Sequence, residues 1–285
     1  MLKTRILTAL ILLAVFVPAA IFLPDWGWTI LMSAVIGVAA WEWAGLAQFG
    51  QKARLAYGFI LFGLGLFVCL TTFWFNNRMM WVFLESVKFS LCYAVIVLAF
   101  WFVAVPLWFR YRWSLKGVVG LIVGLFVLIP AWAFVTVGID TNVLNRTFCF
   151  FIMVIAWVAD IGAYFVGRKF GKHKLAPAIS PGKTWEGVAG GFMAVFLYLC
   201  ILTVILGTPS VKWVFLYLLL AAVLTAACVL GDLFESLLKR QANVKDSSHL
   251  LPGHGGVLDR IDSMLAMLGI FIPLVVLEDW LKRLG

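Results

Sequence analysis

Residues 250–263 read LLPGHGGVLDRIDS and gather one histidine, two aspartates and an arginine in a chain that is otherwise 64% hydrophobic. Asp259 and Asp262 stand three apart, so a helix would put them on one face. Carboxylates without thiols suit a hard cation such as Mg²⁺, which is commonly held by one or two acids plus substrate phosphates. Pro252-Gly253 and Gly255-Gly256 force a tight turn around His254. Just upstream, residues 231–249 read GDLFESLLKRQANVKDSSH. Asp232, Glu235, Ser236 and Lys239 fall at i, i+3, i+4 and i+7, again one face, with Lys245-Asp246 on the loop behind them. Two helix ends thus present carboxylates, and Lys239, Arg240, Lys245, His254 and Arg260 between them could meet phosphate oxygens.

A second polar block, AISPGKTWEGVAGG at 178–191, contains a GKT that resembles a nucleotide-binding loop. That loop needs glycine at 177, where Pro177 stands, and a preceding strand, so it is rejected. Ser180, Lys183 and Thr184 then lie just before a helix expected to start near Trp185. A helix N-terminus with a lysine is a plausible anion site, although Ser180 or Thr184 could equally serve as the helix cap. Asp160 sits about six residues from the end of an apolar segment, ~9 Å inside it at 1.5 Å per residue. Such a charge costs about 2.5–3.5 kcal/mol and usually faces a partner or a polar cavity. Glu42, in another apolar segment, is either a buried acid or a helix-end carboxylate within reach of solvent. Gly162, Gly167 and Gly171 would let a helix or a phosphate approach closely.

The elements that must position these groups are apolar helices. Mean hydropathy is +1.07 and only 12% of residues are charged, far below a soluble domain. Nine segments are long enough to cross a bilayer: Ile6–Leu23, Trp28–Ala44, Tyr57–Phe75, Phe89–Phe109, Val118–Val137, Phe148–Val166, Gly187–Leu206, Val211–Leu230 and Met264–Leu281. The chain is therefore expected to be an all-α integral membrane protein of about nine spans. Residues 1–145 would form five of them, and 146–285 a catalytic region with long loops at 167–186 and 231–262. With the N-terminus in the cytoplasm, sixteen of the 22 Lys and Arg fall on inside segments, as basic residues prefer. The polar site then faces the cytoplasm and the C-terminus lies outside. The first span reads as a retained signal anchor, since its apolar run is long and no A-x-A site follows. Net charge +9 is spread over short loops that would lie on anionic lipid, and no nucleic-acid motif accompanies it. Five cysteines, all within spans, should pack as small apolar residues. Trp26, Trp28, Trp81, Trp108, Trp113 and Trp280 are placed as an interfacial belt.

The run SLLKRQANVKDSSHLLPGHGGVLDRID, residues 236–262, resembles the signature of phosphatidate cytidylyltransferases (CDP-diacylglycerol synthases). That signature has serine, K-R, K-D, P-x-H-G-G and D-R-x-D at fixed spacing. Ser180–Glu186, S-P-G-K-T-W-E, is similar to a second block of that family, with Gly182 where a basic or polar residue is frequent. The first 145 residues match in hydropathy only. The resemblance implies that CTP and phosphatidic acid give CDP-diacylglycerol and pyrophosphate with Mg²⁺, a second cation being left open. It points to Asp232 and Asp259 as metal ligands, with Asp262 and Asp246 behind them. Lys183, Lys239, Arg240, Lys245, His254 and Arg260 would meet phosphates, and Ser180, Thr184, Asp160 and Asp246 would line the substrate site. No serine or cysteine nucleophile with an adjacent base is present, so transfer should be direct. Partners are then CTP, phosphatidic acid and the bilayer of a bacterial inner membrane, with a homodimer left open. A CTP-dependent lipid-alcohol kinase and an anion transporter are the alternatives, and the D-G-x-x-A-R motif of CDP-alcohol phosphotransferases is absent.

Overall fold

The computed structural model describes residues 2–73, 87–137, 146–205, 207 and 214–284, without the side chains of 2–6, 87–91, 137, 272 and 275–284. Lys3, Arg5, Arg78, Lys88, Lys212, Lys282, Arg283, Trp81 and Trp280 lie outside the described side chains. The helices are α1 (Leu2–Phe22), α2 (Asp25–Leu46), α3 (Gln51–Phe73), α4 (Val87–Ala99), α5 (Val105–Tyr111), α6 (Val118–Val137), α7 (Arg146–Phe170), α8 (Trp185–Ile205), α9 (Val214–Gln241) and α10 (Leu258–Leu284). A π-helical turn, Phe100–Ala104, joins α4 to α5, where Pro106 removes one amide from the ladder.

Seven helices among the described residues are long and apolar enough to cross a membrane: Asp25–Leu46, Gln51–Phe73, Cys92–Tyr111, Val118–Thr136, Arg146–Phe170, Trp185–Ile205 and Val214–Gln241. This is a multi-pass membrane protein. The first and last expected spans are helical too, as α1 and α10, but are not among those seven. The fold is not purely helical. Residues expected as a plain loop form an antiparallel hairpin, β1 (Lys174–Ala176) and β2 (Ser180–Thr184), pairing Lys174 with Thr184 and Ala176 with Ser180.

Long-range bonds gather the segments expected to face inward at one end of the bundle. Thr8 Oγ1 donates to Pro252 O, Gln48 Nε2 to Gln241 O, Gly117 N to Ala47 O, and Arg240 Nε to Ile179 O. At the opposite end Arg146 pairs with Asp25 and donates to Leu23 O, and Trp28 Nε1 donates to Val135 O at 2.8 Å. Trp28 is 1% exposed, so this member of the expected belt is a core residue. Trp26 and Trp113 remain exposed.

Glycine faces set the closest helix contact. A Cβ on Gly162 would lie 2.6 Å from Ala194 Cβ, and Gly167 faces Gly187. Of the two roles open to Gly162 and Gly167, the structure assigns helix approach. The five cysteines are free, and Cys69, Cys149 and Cys228 are buried. Cys92 is exposed, unlike the uniformly packed role expected.

Candidate active site

The hairpin delivers the first cation. β2 runs into α8, whose first turn is capped by Thr184 Oγ1 accepting from Gly187 N at 3.1 Å. That cap fixes the strand-to-helix corner, and Lys183 projects from it toward α9. Its Nζ lies 2.5 Å from Asp232 Oδ2. Burial disfavours the ammonium form, yet the adjacent carboxylate outweighs it and holds the Lys183 pKa above the ordinary lysine value. Ser236 Oγ donates to the other Asp232 oxygen at 3.3 Å.

The second centre is the start of α10. Asp259 Oδ2 accepts from Ser247 N at 2.9 Å, Ser247 Oγ at 2.9 Å and Gly256 N at 2.8 Å. Its Oδ1 receives Lys239 Nζ at 2.7 Å. One oxygen is thus anchored by backbone and the other is presented to a cation. The turn before it depends on glycine. Gly255 has φ +86° and a Cβ there would meet Asp259 Oδ2 at 2.7 Å, while one on Gly256 would strike Ser247 Oγ and the Glu42 carboxylate. Lys239 Nζ also lies 2.5 Å from Glu235 Oε2. Apart from that ion pair, no donor meets either Glu235 oxygen among the described residues.

A third group connects the two. Asp160 accepts from Ser263 Oγ at 3.0 Å and is exposed, although Lys183, Asp232 and Arg260 all act on it electrostatically. An exposed carboxylate thus lies among charges from three other elements. Asp262, half-buried, is within electrostatic range of Asp232, Asp160 and Lys239. Phe234, next to Glu235, holds α9 in register between Trp43, Trp101 and Trp108, with ring centroids 6.3, 6.1 and 5.9 Å away.

A model of the Cytidylyltransferase family matches residues 3–277. The chain belongs to that family. Phosphatidate cytidylyltransferase of Pseudomonas aeruginosa is 37% identical, covering 98% of this chain and 99% of the relative. The Haemophilus influenzae enzyme of the same name is 34% identical over 95% and 97% of the two chains. That of Bacillus subtilis is 45% identical over 46% of this chain and 48% of its own.

Within this cytidylyltransferase, the structure brings together Asp160, Lys183, Asp232, Lys239, Asp259 and Asp262. Arg260 is exposed and reaches them through Asp160. Other expected residues stand apart. Thr184, 5% exposed, caps α8. Ser180 is half-buried in β2, and Lys245 is exposed on its loop. Arg240 ties α9 to the hairpin and, with Arg112 and Lys116, lines a shallow recess of about 400 Å³. Asp246 packs beside Gly255. His254 has a buried Nδ1 without a partner among the described residues. A side chain at Gly182 would meet open space, so its departure from the family pattern disturbs nothing. Sequence reading missed Ser247, Ser248, Ser263 and the charge role of Glu235. The serines carry no periodic signal, and only the K-D-S-S run hinted at the first two.

Proposed function

We propose that this chain transfers the cytidylyl group of CTP to phosphatidic acid, giving CDP-diacylglycerol and pyrophosphate at the cytoplasmic face of a bacterial inner membrane. The observation that carries this reading is the pair of lysine–aspartate contacts, Lys183–Asp232 at 2.5 Å and Lys239–Asp259 at 2.7 Å. Asp232 and Asp259, expected to hold a cation, each carry an ammonium, and Lys183 and Lys239, expected to hold phosphate, each carry a carboxylate. When nucleotide and metal enter together, the partners can exchange: acids to metal, lysines to phosphate. With Asp232 beside it, Lys183 is held in its ammonium form, the form that a phosphate would bind.

Mg²⁺ keeps waters and shares its shell with substrate phosphates, so one or two protein carboxylates are enough to hold it. Asp232 and Asp259 would hold it, with Asp262 and Asp160 adding negative charge. When bound, the metal would neutralise charge on the nucleotide phosphates and on departing pyrophosphate. The chain's own residues do the remainder. Lys183 and Lys239 draw two polyanions together, and Arg260, exposed in the first turn of α10, offers a further donor. An oxygen of the lipid phosphate bonds to the α-phosphorus of CTP, and the bond to the β-phosphate oxygen breaks. A phosphate monoester is largely ionised at neutral pH, so no general base is needed. The basic end of the bundle is placed in the cytoplasm, where CTP is found, with the N-terminus inside and the C-terminus outside.

The test uses detergent-purified protein, phosphatidic acid, Mg²⁺ and CTP labelled at the α-phosphate. Label should enter a lipid, and should fail to do so with EDTA or in Asp259→Asn. Label that enters an added lipid alcohol from the γ-position instead would make the protein a kinase and overturn the reading.

A further inference from the structure

Glu42 is 0% exposed, one turn from the end of α2. Its Oε1 accepts from Val257 N at 3.0 Å and Ser248 Oγ at 2.6 Å, and its Oε2 from Leu258 N at 2.6 Å and Ser247 Oγ at 3.2 Å. Val257 and Leu258 open α10, and their amides are donors that a helix leaves unpaired. The usual local remedy is a Ser, Thr, Asn or Asp at the cap. Here Gly256 has no side chain and Val257 has no acceptor, so a carboxylate more than two hundred residues upstream supplies the cap. Its negative charge also suits the positive end of the helix. Ser247 continues the chain of contacts, because its single hydroxyl hydrogen is shared between Glu42 Oε2 at 3.2 Å and Asp259 Oδ2 at 2.9 Å.

We propose that Glu42 is a positioning residue for cytidylyl transfer: from the first half of the chain it fixes the start of α10 and, through Ser247, the anchored oxygen of Asp259. This rests on the function proposed above. The consequence is that Asp259 presents Oδ1, the oxygen that Lys239 holds, to the cation only when α2 is seated against the 246–258 loop. Outer partners of metal ligands matter for this reason, and losing one typically costs about 10–100-fold in metal affinity. Glutamine would be nearly isosteric but chemically wrong. Each Glu42 oxygen holds one backbone amide and one hydroxyl, and a hydroxyl can turn to accept from an NH₂ whereas a backbone N–H cannot.

Wild type, Glu42→Gln, Ser247→Ala, Ser248→Ala and the double variant Glu42→Gln/Ser247→Ala would be purified in detergent. Three quantities are read: the Mg²⁺ concentration at half-maximal rate, kcat at saturating Mg²⁺, and metal-free hydrogen exchange at residues 246–260. Glu42→Gln should raise the Mg²⁺ requirement about tenfold or more and speed exchange at Val257 and Leu258, with kcat at saturating Mg²⁺ falling far less. Ser247→Ala should shift the requirement in the same direction, and the double variant should fall short of the product of the two. Ser248→Ala, which removes a donor to Glu42 but no contact to Asp259, should shift the requirement less than Ser247→Ala. Faster exchange in Glu42→Gln with an unchanged Mg²⁺ requirement would reduce Glu42 to a structural cap and overturn the proposal, as would a fully multiplicative double variant. If Glu42→Gln does not fold, an unchanged Mg²⁺ requirement in Ser247→Ala overturns it. A wild type that transfers no cytidylyl group fails the proposed function instead, and the exchange data then report on the α10 cap alone.

Discussion

The two halves of the molecule handle buried polarity differently. Among helices α2, α3 and α6, neutral donors end on neutral acceptors: Trp43 Nε1 on Gly120 O at 2.8 Å, Tyr57 Oη on Leu121 O at 2.9 Å, and Trp132 Nε1 on Ser33 Oγ at 3.1 Å. Between α7 and α10 a tyrosine clip of the same kind, Tyr198 Oη on Phe151 O, is joined by charged groups that end on one another through Lys183–Asp232, Lys239–Glu235 and Lys239–Asp259. A tryptophan N–H on a carbonyl is a fixed clip with nothing to exchange. An ammonium on a carboxylate can re-pair with an incoming phosphate and cation. The first half is therefore built to hold, and the second to swap partners. Glu42 is the exception that joins them, an acid of the first half whose donors all belong to the second.

The sharpest way to break this contrast is to remove charge from the exchanging half. Asp232→Asn and Asp259→Asn should each lower CDP-lipid formation by more than about a hundredfold, since direct contacts should cost at least what outer partners do. Thermal inactivation should change much less, because asparagine keeps the size and half of the acceptors. Near-normal rates in both variants would remove these acids from the exchange.

Lys183→Met should cost roughly 10²-fold in kcat, the scale of losing one preorganised donor to developing charge. The Mg²⁺ requirement should not rise, because the variant relieves Asp232 of its competing ammonium. That sign is opposite to the one expected for Glu42→Gln. A steady-state Mg²⁺ titration of the two variants side by side separates lysine as phosphate ligand from lysine as mere charge balance. A raised requirement in Lys183→Met would sink the exchange scheme.

Much of this arrangement was legible in sequence. Hydropathy placed nine helices, seven of which the structure shows as long and apolar enough to span, and the i, i+3, i+4, i+7 spacing put Asp232, Glu235, Ser236 and Lys239 on one face. The P-G-H-G-G turn was readable because only glycine tolerates the Gly255 backbone. What escaped was everything set by non-local pairing. Nothing near Glu42 reveals that its donors lie at Ser247, Ser248, Val257 and Leu258. The hairpin at 174–184 carried too few alternating residues to separate from a loop. Trp28 sits at a helix end, where sequence suggests an interface, and only its acceptor at Val135 shows it to be core.

Thr184 offers a smaller test of where the exchanging half begins. As a helix cap, Thr184→Ala should lower stability by about 1 kcal/mol, seen as a lower midpoint of thermal inactivation, and Thr184→Ser should restore it. KM for CTP should stay within about twofold of wild type in both. A large rise in KM with unchanged stability would return Thr184 to the substrate site.

The smallest effect is expected in the holding half. Trp43→Phe removes the N–H that reaches Gly120 O while keeping a ring against Phe234, whose centroid lies 6.3 Å away. Hydrogen bonds between membrane helices average about 0.6 kcal/mol, and Gly120 O, with a second lone pair, can still accept within α6. Thermal inactivation should therefore shift only slightly, with kcat and the Mg²⁺ requirement unchanged. A Trp43→Phe variant that instead altered the Mg²⁺ requirement would show that the clip is coupled to the site through Phe234 and α9. The division between a half that holds and a half that exchanges would then fail at its firmest point.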